Sequence, residues 1–403
     1  MISTVQFDCP RRKLSQIYCP AGRFLPVFHR RASTGGIVLM KCGIRRLMAL
    51  GAGFTLLVGL LPQVTQSASA AVGDITEFGL PQCTVSPMDP FGRCVPIGIS
   101  HGPDGNLWVV TNFSNDVLKM STAGIVLNKY HDPVGQGLFH IQPGNDGAMW
   151  YTEIQGGPGI GRIPTSGTPI TEIQTPTPNS GPLTITVGLN ARMIWTENGA
   201  GNIGRNQLLT PPYNPIEKAI PTPNSAPGDI VIGSLGFMWF SETGADKIGY
   251  LRSTGGAGLC GQDVCEFNVP AGSVPEGMVK GADGNMWFTE HGNGDGVGGG
   301  KIGVMSPYGV LLAEYPLPSG PTAAAGSMIH GPSGDSNLYF TEEGTAGVTP
   351  AAIGRINPST HVITEFRQGI QTDAVVANLT VGPDNNIWFS EPNADTIGRM
   401  SLH

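Results

Sequence analysis

The 403-residue chain contains 59 Gly and 34 Pro, and only 13% of its residues are charged. That composition excludes coiled coils and long-helix proteins, which concentrate Ala, Glu, Lys, Leu and Arg; the lack of a Gly-X-Y period excludes collagen. With 40% hydrophobic residues it is no charge-rich disordered chain either, which leaves a turn-rich, all-β globular fold.

The two ends differ in charge. Residues 1–71 carry nine Lys/Arg and one acid, Asp8, whereas residues 72–403 carry 14 Lys/Arg and 29 Asp/Glu. So acidic a body lacks the basic footprint that neutralises phosphates, and nucleic acid is excluded as a partner. Lys41, Arg45 and Arg46 precede the apolar run LMALGAGFTLLVGLL at 47–61, and Ala68-Ser69-Ala70 supplies an A-x-A cleavage pattern. This order predicts a signal peptide over 40–70 within a targeting segment 1–71, and a secreted or periplasmic body over 72–403. A membrane anchor is the alternative, but the run is short of the ~18–20 apolar residues of a span, as is every later segment. Residues 1–39 are unusual for a signal peptide and read as a long n-region or as preceding the true start.

Four cysteines lie in the body: Cys83, Cys94, Cys260 and Cys265. An even number in an exported chain predicts disulfides, and proximity favours Cys83–Cys94 and Cys260–Cys265 among the three possible pairings. There is no CxxC and no accompanying His cluster, which argues against zinc.

A phrase built on Trp recurs along the body: GPDGNLWVVT at Trp108, GNDGAMWYTE at Trp150, GSLGFMWFSE at Trp239, GADGNMWFTE at Trp287 and GPDNNIWFSE at Trp388. Tyr339 replaces the Trp in GPSGDSNLYFTE, and in GLNARMIWTE Ile194 takes the slot with Trp195 beside it. The slots 108, 150, 194, 239, 287, 339 and 388 are spaced by 42 to 52 residues. Each is followed by an I-G-R-like phrase, and the first six by an I-T-E-F-like one. Short β-rich phrases separated by Gly, Asn and Asp turns predict four antiparallel strands per repeat, repeated seven times: a seven-bladed β-propeller. No I-T-E-F copy follows the last slot, and an orphan copy, Ile75-Thr76-Glu77-Phe78, precedes the first. That N-terminal strand is expected to close the last blade, leaving no exposed sheet edge.

The segment before each Gly-rich turn is expected to be the innermost strand. Its copies are PIGIS, LFHIQ, PLTIT, PGDIV, PEGMV, AGSMI and VANLT, beginning at residues 96, 138, 182, 227, 275, 325 and 376. The fourth column is apolar throughout and should pack between blades. Strand alternation then turns the third column (Gly98, His140, Thr184, Asp229, Gly277, Ser327 and Asn378) into the channel. The second column (Ile97, Phe139, Leu183, Gly228, Glu276, Gly326 and Ala377) should lie nearer the mouth. The ionisable residues converging on the axis are therefore His140, Asp229 and Glu276. A neutral imidazole can accept a proton and a carboxylate can orient it, so His140 and Asp229 are the candidate catalytic pair. Glu276, Asn378, Thr184 and Phe139 are the candidate substrate contacts. Asp, Glu, Asn and Ser could equally hold a hard cation, or the channel polar groups could simply bind water; no metal ligands are assigned.

Glu153, Glu197, Glu242, Glu290, Glu342 and Glu391 recur three residues after the slot. Six copies argue for a scaffold role, since catalysis needs a group in one or two places. The stretch 295–301, DGVGGGK, lacks the first Gly and the Ser/Thr of a phosphate loop and is expected to be a long loop. Asn112 and Asn378 head glycosylation sequons, of which Asn112 is expected to be exposed.

The W-F-[ST]-E, I-G-R and I-T-E-F phrases over residues 74–403 resemble the virginiamycin B lyase (streptogramin lyase) family. The resemblance implies a seven-bladed propeller and, with Mg2+, a lyase that linearises a cyclic depsipeptide at its ester link by elimination. In that family the catalytic and substrate-contacting histidines occupy the second column, which here has none, and the metal-binding glutamate preceding one such Pro is unmatched: Val95, Gly181, Ala226 and Val274 stand before Pro96, Pro182, Pro227 and Pro275. Three readings follow: a lyase, hydrolase or cyclase acting on a cyclic ester or lactone-like molecule at the channel mouth; a non-catalytic extracellular binding module, which an apolar rim of Ile97, Phe139 and Leu183 would favour; and a structural surface protein. The protein is expected to act as a monomer on a small-molecule ligand.

Overall fold

The computed structural model describes residues 71–85, 92–252, 257–293, 299–344 and 350–403. The expected signal peptide and residues 295–298 of the Gly-rich loop lie outside them. The first blade contains the strands Pro96–His101, Leu107–Thr111, Asp116–Met120 and Val126–His131, innermost first. The pattern repeats to give seven four-stranded antiparallel sheets. The last is assembled from Leu379–Val381, Ile387–Glu391, Thr396–Met400 and the N-terminal strand Ile75–Gly79. Ile75 lies opposite Met400 and Gly79 opposite Thr396, so the orphan strand closes the ring as the sequence predicts. Two short 3-10 turns, Leu189–Ala191 and Ser234–Gly236, are the only helical elements among the described residues. No helix there is long and apolar enough to cross a membrane. Cys83–Cys94 and Cys260–Cys265 are disulfide-bonded.

The repeated phrases have local physical causes. Trp108, Trp150, Trp287 and Trp388 are buried, and their indole N–H groups donate to Asp104, Asp146, Asp283 and Asp384 at 2.9–3.2 Å. The Asp of each Asp-Gly or Asp-Asn turn thereby satisfies an indole that would otherwise be buried without a partner. The Gly two residues earlier makes room: a Cβ at Gly102 would stand 2.5 Å from Nε1 of Trp108. The fourth-column residues, from Ile99 to Leu379, are all buried, as expected of the layer between blades.

The recurrent Glu is structural. Glu153, Glu197, Glu242, Glu290, Glu342 and Glu391 are at most 2% exposed. Each meets the Glu of the outer strand: Glu172, Glu217, Glu266, Glu314, Glu365 and Glu77 in turn. The I-G-R glycine lies opposite the outer Glu and leaves space for the pair; a Cβ at Gly303 would stand 2.8 Å from Oε1 of Glu290. Burial, followed by the neighbouring carboxylate, pushes Glu242 up to about 8, so this pair keeps a proton near neutrality.

Candidate functional site at the channel mouth

A cavity of about 680 Å³ runs along the axis. It is lined by His140, Asp229, Glu276, Asn378, Thr184 and Phe139, so all six residues singled out from the sequence meet in one place. The route differs from simple alternation. In blades one to six, pairing between the first two strands slips by one residue: Pro275 faces Glu290, but Met278 faces Phe288. The second and third columns fall inside this bulge, and both reach the cavity instead of pointing to opposite faces.

In blades two to five the bulge is held by the Ser or Thr of the repeated phrase, and Ser390 makes the same bonds in blade seven. Oγ1 of Thr152, Thr196 and Thr289 and Oγ of Ser241 and Ser390 each accept a third-column N–H of their own blade, at 2.8–3.2 Å. Each donates to the second-column carbonyl of the next blade, at 2.5–2.8 Å. The motif therefore fastens neighbouring blades around the channel.

Third-column side chains serve the same ring. Nδ1 of His140 accepts the N–H of Ile185 in the next blade at 3.3 Å. Asp229 accepts the N–H of Ile230 at 2.8 Å through one oxygen and that of Met278 at 2.9 Å through the other. Thr184 donates to the carbonyl of Gly228 at 2.9 Å, and Oδ1 of Asn378 accepts the N–H of Ile99 at 3.4 Å. Burial lowers the His140 pKa to about 4, despite the amide bond that opposes the shift, so the imidazole is neutral. Burial raises Asp229 to about 6, against its two amide bonds. The one acceptor lone pair of the neutral His140 ring is thus committed to a backbone amide, and each oxygen of Asp229 already holds one amide.

The mouth is different. It forms where the inner strands begin and the second strands end. Glu276, His291 and Glu343 converge there, with ligand atoms within 4.8 Å of one another. Nε2 of His291 stands 3.6 Å from Oε2 of Glu343, and both side chains are 30% exposed, open to a ligand. Nδ1 of His291 donates to the carbonyl of Gly292 at 2.9 Å. The bond to Glu343 comes first among the causes that raise His291 to about 9, which keeps it protonated at neutral pH. Burial, then the charge of Glu343, raises Glu276 to about 7. The turn before Glu276 is tightly built: Val274 has φ +46°, a conformation costly for a β-branched residue, and its N–H is gripped by Asp246 at 2.8 Å. On the opposite side, Ile97, Phe139 and Leu183 give the cavity an apolar wall.

Two carboxylates and an imidazole could enclose a cation, but Glu343 already balances the imidazolium internally. Mg2+ prefers all-oxygen ligands and does not fit this set.

His291 and Glu343 escaped the sequence reading. Both directly follow the repeat Glu, in a column that reads Asn112, Ile154, Asn198, Thr243, His291, Glu343 and Pro392. Four of these, Thr243, His291, Glu343 and Pro392, line the cavity. Chemical variability directly after the recurrent Glu was the available signal. Asn112, expected to be exposed, is only 8% exposed and donates to the carbonyl of Leu138 at 3.3 Å, so it is no glycosylation acceptor in the folded chain.

The profile of the Virginiamycin B lyase family matches residues 63–260 and 209–403. Among solved structures, the chain is similar to one described as a streptogramin B lyase, with TM-score 0.67 and 28% identity over 82% of this chain and 98% of that one. It is equally similar to a catalytically inactive virginiamycin B lyase from Staphylococcus aureus with quinupristin: TM-score 0.67 and 29% identity over 82% and 99%. Hydrazine synthase from Kuenenia stuttgartiensis shares the fold alone, with TM-score 0.58 and 13% identity over 81% and 100%. No curated protein matches the sequence. With seven blades, ring closure and a family profile running across the whole propeller, the chain belongs to the Virginiamycin B lyase family.

Proposed function

We propose that the protein is an exported, monomeric lyase that opens a cyclic ester or lactone-like small molecule by elimination at the channel mouth. The juxtaposition of Glu276, His291 and Glu343 opposite an apolar wall carries this reading. Ionised Glu276 takes a proton from the carbon next to the one bearing the ester oxygen. The C–O bond breaks, its electron pair leaves with the carboxylate, and a C=C bond forms. The His291 imidazolium, oriented by Glu343, supplies positive charge to the departing carboxylate. The product is an isomer of the substrate, and no water or redox partner is consumed. Ile97, Phe139 and Leu183 would hold apolar substituents of the ring. Because the second column has no histidine, opening of streptogramin B itself is expected to be absent or very weak, and another ring is the preferred substrate. The paired cysteines and the basic, apolar, small-residue order of 41–71 support export.

The apolar wall also favours a second reading, a non-catalytic binding module. Incubation with a panel of cyclic depsipeptides and macrolactones separates the readings. Elimination yields a linear acid of unchanged mass with a new olefin signal. Gain of one water would identify a hydrolase, and saturable binding without turnover would identify the binding module; either result overturns the lyase.

A further inference from the structure

The carboxyl pairs provide an internal comparison. In blade three, Nδ2 of Asn202 reaches both Glu197 and Glu217 at 3.3 Å. In blade four Lys247 lies 3.8 Å from Glu266. Lys301 in blade five lies 2.8 Å from Glu314 and 3.9 Å from Glu290. Arg367 in blade six reaches Glu342 and Glu365 at 2.9 and 2.8 Å. Thr396 donates to Glu391 in blade seven at 2.5 Å. Four of these five compensating groups, Asn202, Lys247, Lys301 and Thr396, directly precede the Ile-Gly of their blade.

Blade two has Gly159 at that position, which offers only a backbone N–H, donated to Glu153 at 3.2 Å. It also gains a third carboxylate, Asp132, from the end of the preceding blade. Asp132, Glu153 and Glu172 present oxygens within 4.8 Å of one another. Asp132 and Glu153 are each 1% exposed. Oε1 of Glu153 and both oxygens of Glu172 are buried without a hydrogen-bond donor. Asp132 is already fixed by the N–H groups of Val134 and Gly135, at 3.0 and 2.8 Å, and by the hydroxyl of Tyr151 at 2.5 Å. Two glycines close over the group: a Cβ at Gly135 would stand 2.5 Å from Oδ2 of Asp132, and one at Gly157 would overlap Oε2 of Glu153. A single shared proton between Glu153 and Glu172 would still leave two negative charges.

We propose that Asp132, Glu153 and Glu172 form a binding site for a divalent cation of the Ca2+ type, which replaces the basic or polar side chain used by blades three to seven. The all-oxygen donor set, the buried donor-free oxygens of Glu153 and Glu172 and the glycine cover suit a hard ion of flexible coordination. The site is independent of the mouth and stands whether or not the lyase reading does.

The test uses the purified full chain at neutral pH, stripped with EDTA. Titration calorimetry with CaCl2 should detect one ion, and millimolar Ca2+ should raise the melting temperature by about 2–5 °C, with MgCl2 less effective. Glu172→Gln should lose the response and melt higher than the wild type in EDTA, because repulsion is relieved. Glu314→Gln, the same change in blade five, should keep the response. Absence of a bound ion in the wild type would overturn the proposal, as would a Ca2+ response surviving in Glu172→Gln.

Discussion

His140 and Asp229 midway along the channel, and Glu276, His291 and Glu343 at its mouth, share one cavity but stand in opposite chemical situations. His140 spends its one acceptor on a backbone amide of the next blade, and the two oxygens of Asp229 each hold a backbone amide, one in its own blade and one in the next. The last three face one another, with His291 and Glu343 partly exposed. A titratable group whose lone pairs satisfy a bulged backbone is part of the fastening of the ring. A titratable group whose partners are other titratable groups is available to a ligand. Position in the channel therefore does not identify chemistry; what each acceptor already holds does.

The comparison predicts its largest stability effect at Asp229. Asp229→Ala would strand the N–H groups of Ile230 and Met278, costing about 2–4 kcal/mol, measured by urea denaturation. His140→Ala strands only the Ile185 N–H and should cost about 1–3 kcal/mol. His291→Gln, at the open mouth, should change stability by less than about 1 kcal/mol at pH 7, in line with a partly exposed ion pair. Equal losses in all three variants would erase the distinction between the two regions.

The pH dependence sharpens it further. Glu197, Glu242, Glu290 and Glu391 have folded pKa values raised by burial to about 7 or 8. Raised acids stabilise fully below their unfolded value near 4.5. That stabilisation is lost as pH climbs through the folded values. His291, raised to about 9, loses its contribution in the same direction above pH 6.5. His140, lowered to about 4, acts oppositely, weakening the fold as pH falls below 6.5. Several carboxyls outweigh one imidazole, so the melting temperature should fall between pH 5 and 8. Glu290→Gln should flatten that slope slightly, and a melting temperature that rises over this range would contradict the paired-carboxyl arrangement.

Much of this architecture is legible in the repeats because each phrase performs one local task. Trp needs the turn Asp as acceptor, the repeat Glu needs the I-G-R glycine for space, and Ile75–Phe78 needs a partner strand. The indole–Asp bond is made by four of the tryptophans and the carboxyl pair recurs in six blades, so both survive in the sequence as spacing. The mouth does not recur. His291 follows the strand that pairs with the start of the Glu276 strand, Glu343 comes from the next blade, and the bulge turns Glu276 toward both. The bulge itself leaves no residue signature beyond the Ser or Thr of W-x-[ST]-E, so alternation alone placed His140 in the channel but could not show that an amide already occupied it.

The proposal is that the mouth is the site of the chemistry, while the middle of the channel holds the ring. Its most direct test is kcat/KM for Glu276→Gln and His140→Asn on one cyclic ester opened by the wild type. Glu276→Gln should fall by about 10²–10⁴-fold with an unchanged melting temperature, as expected for loss of a general base. His140→Asn should keep kcat/KM within about threefold while melting lower. The account is contradicted if Glu276→Gln turns over normally and His140→Asn is inactive but fully folded.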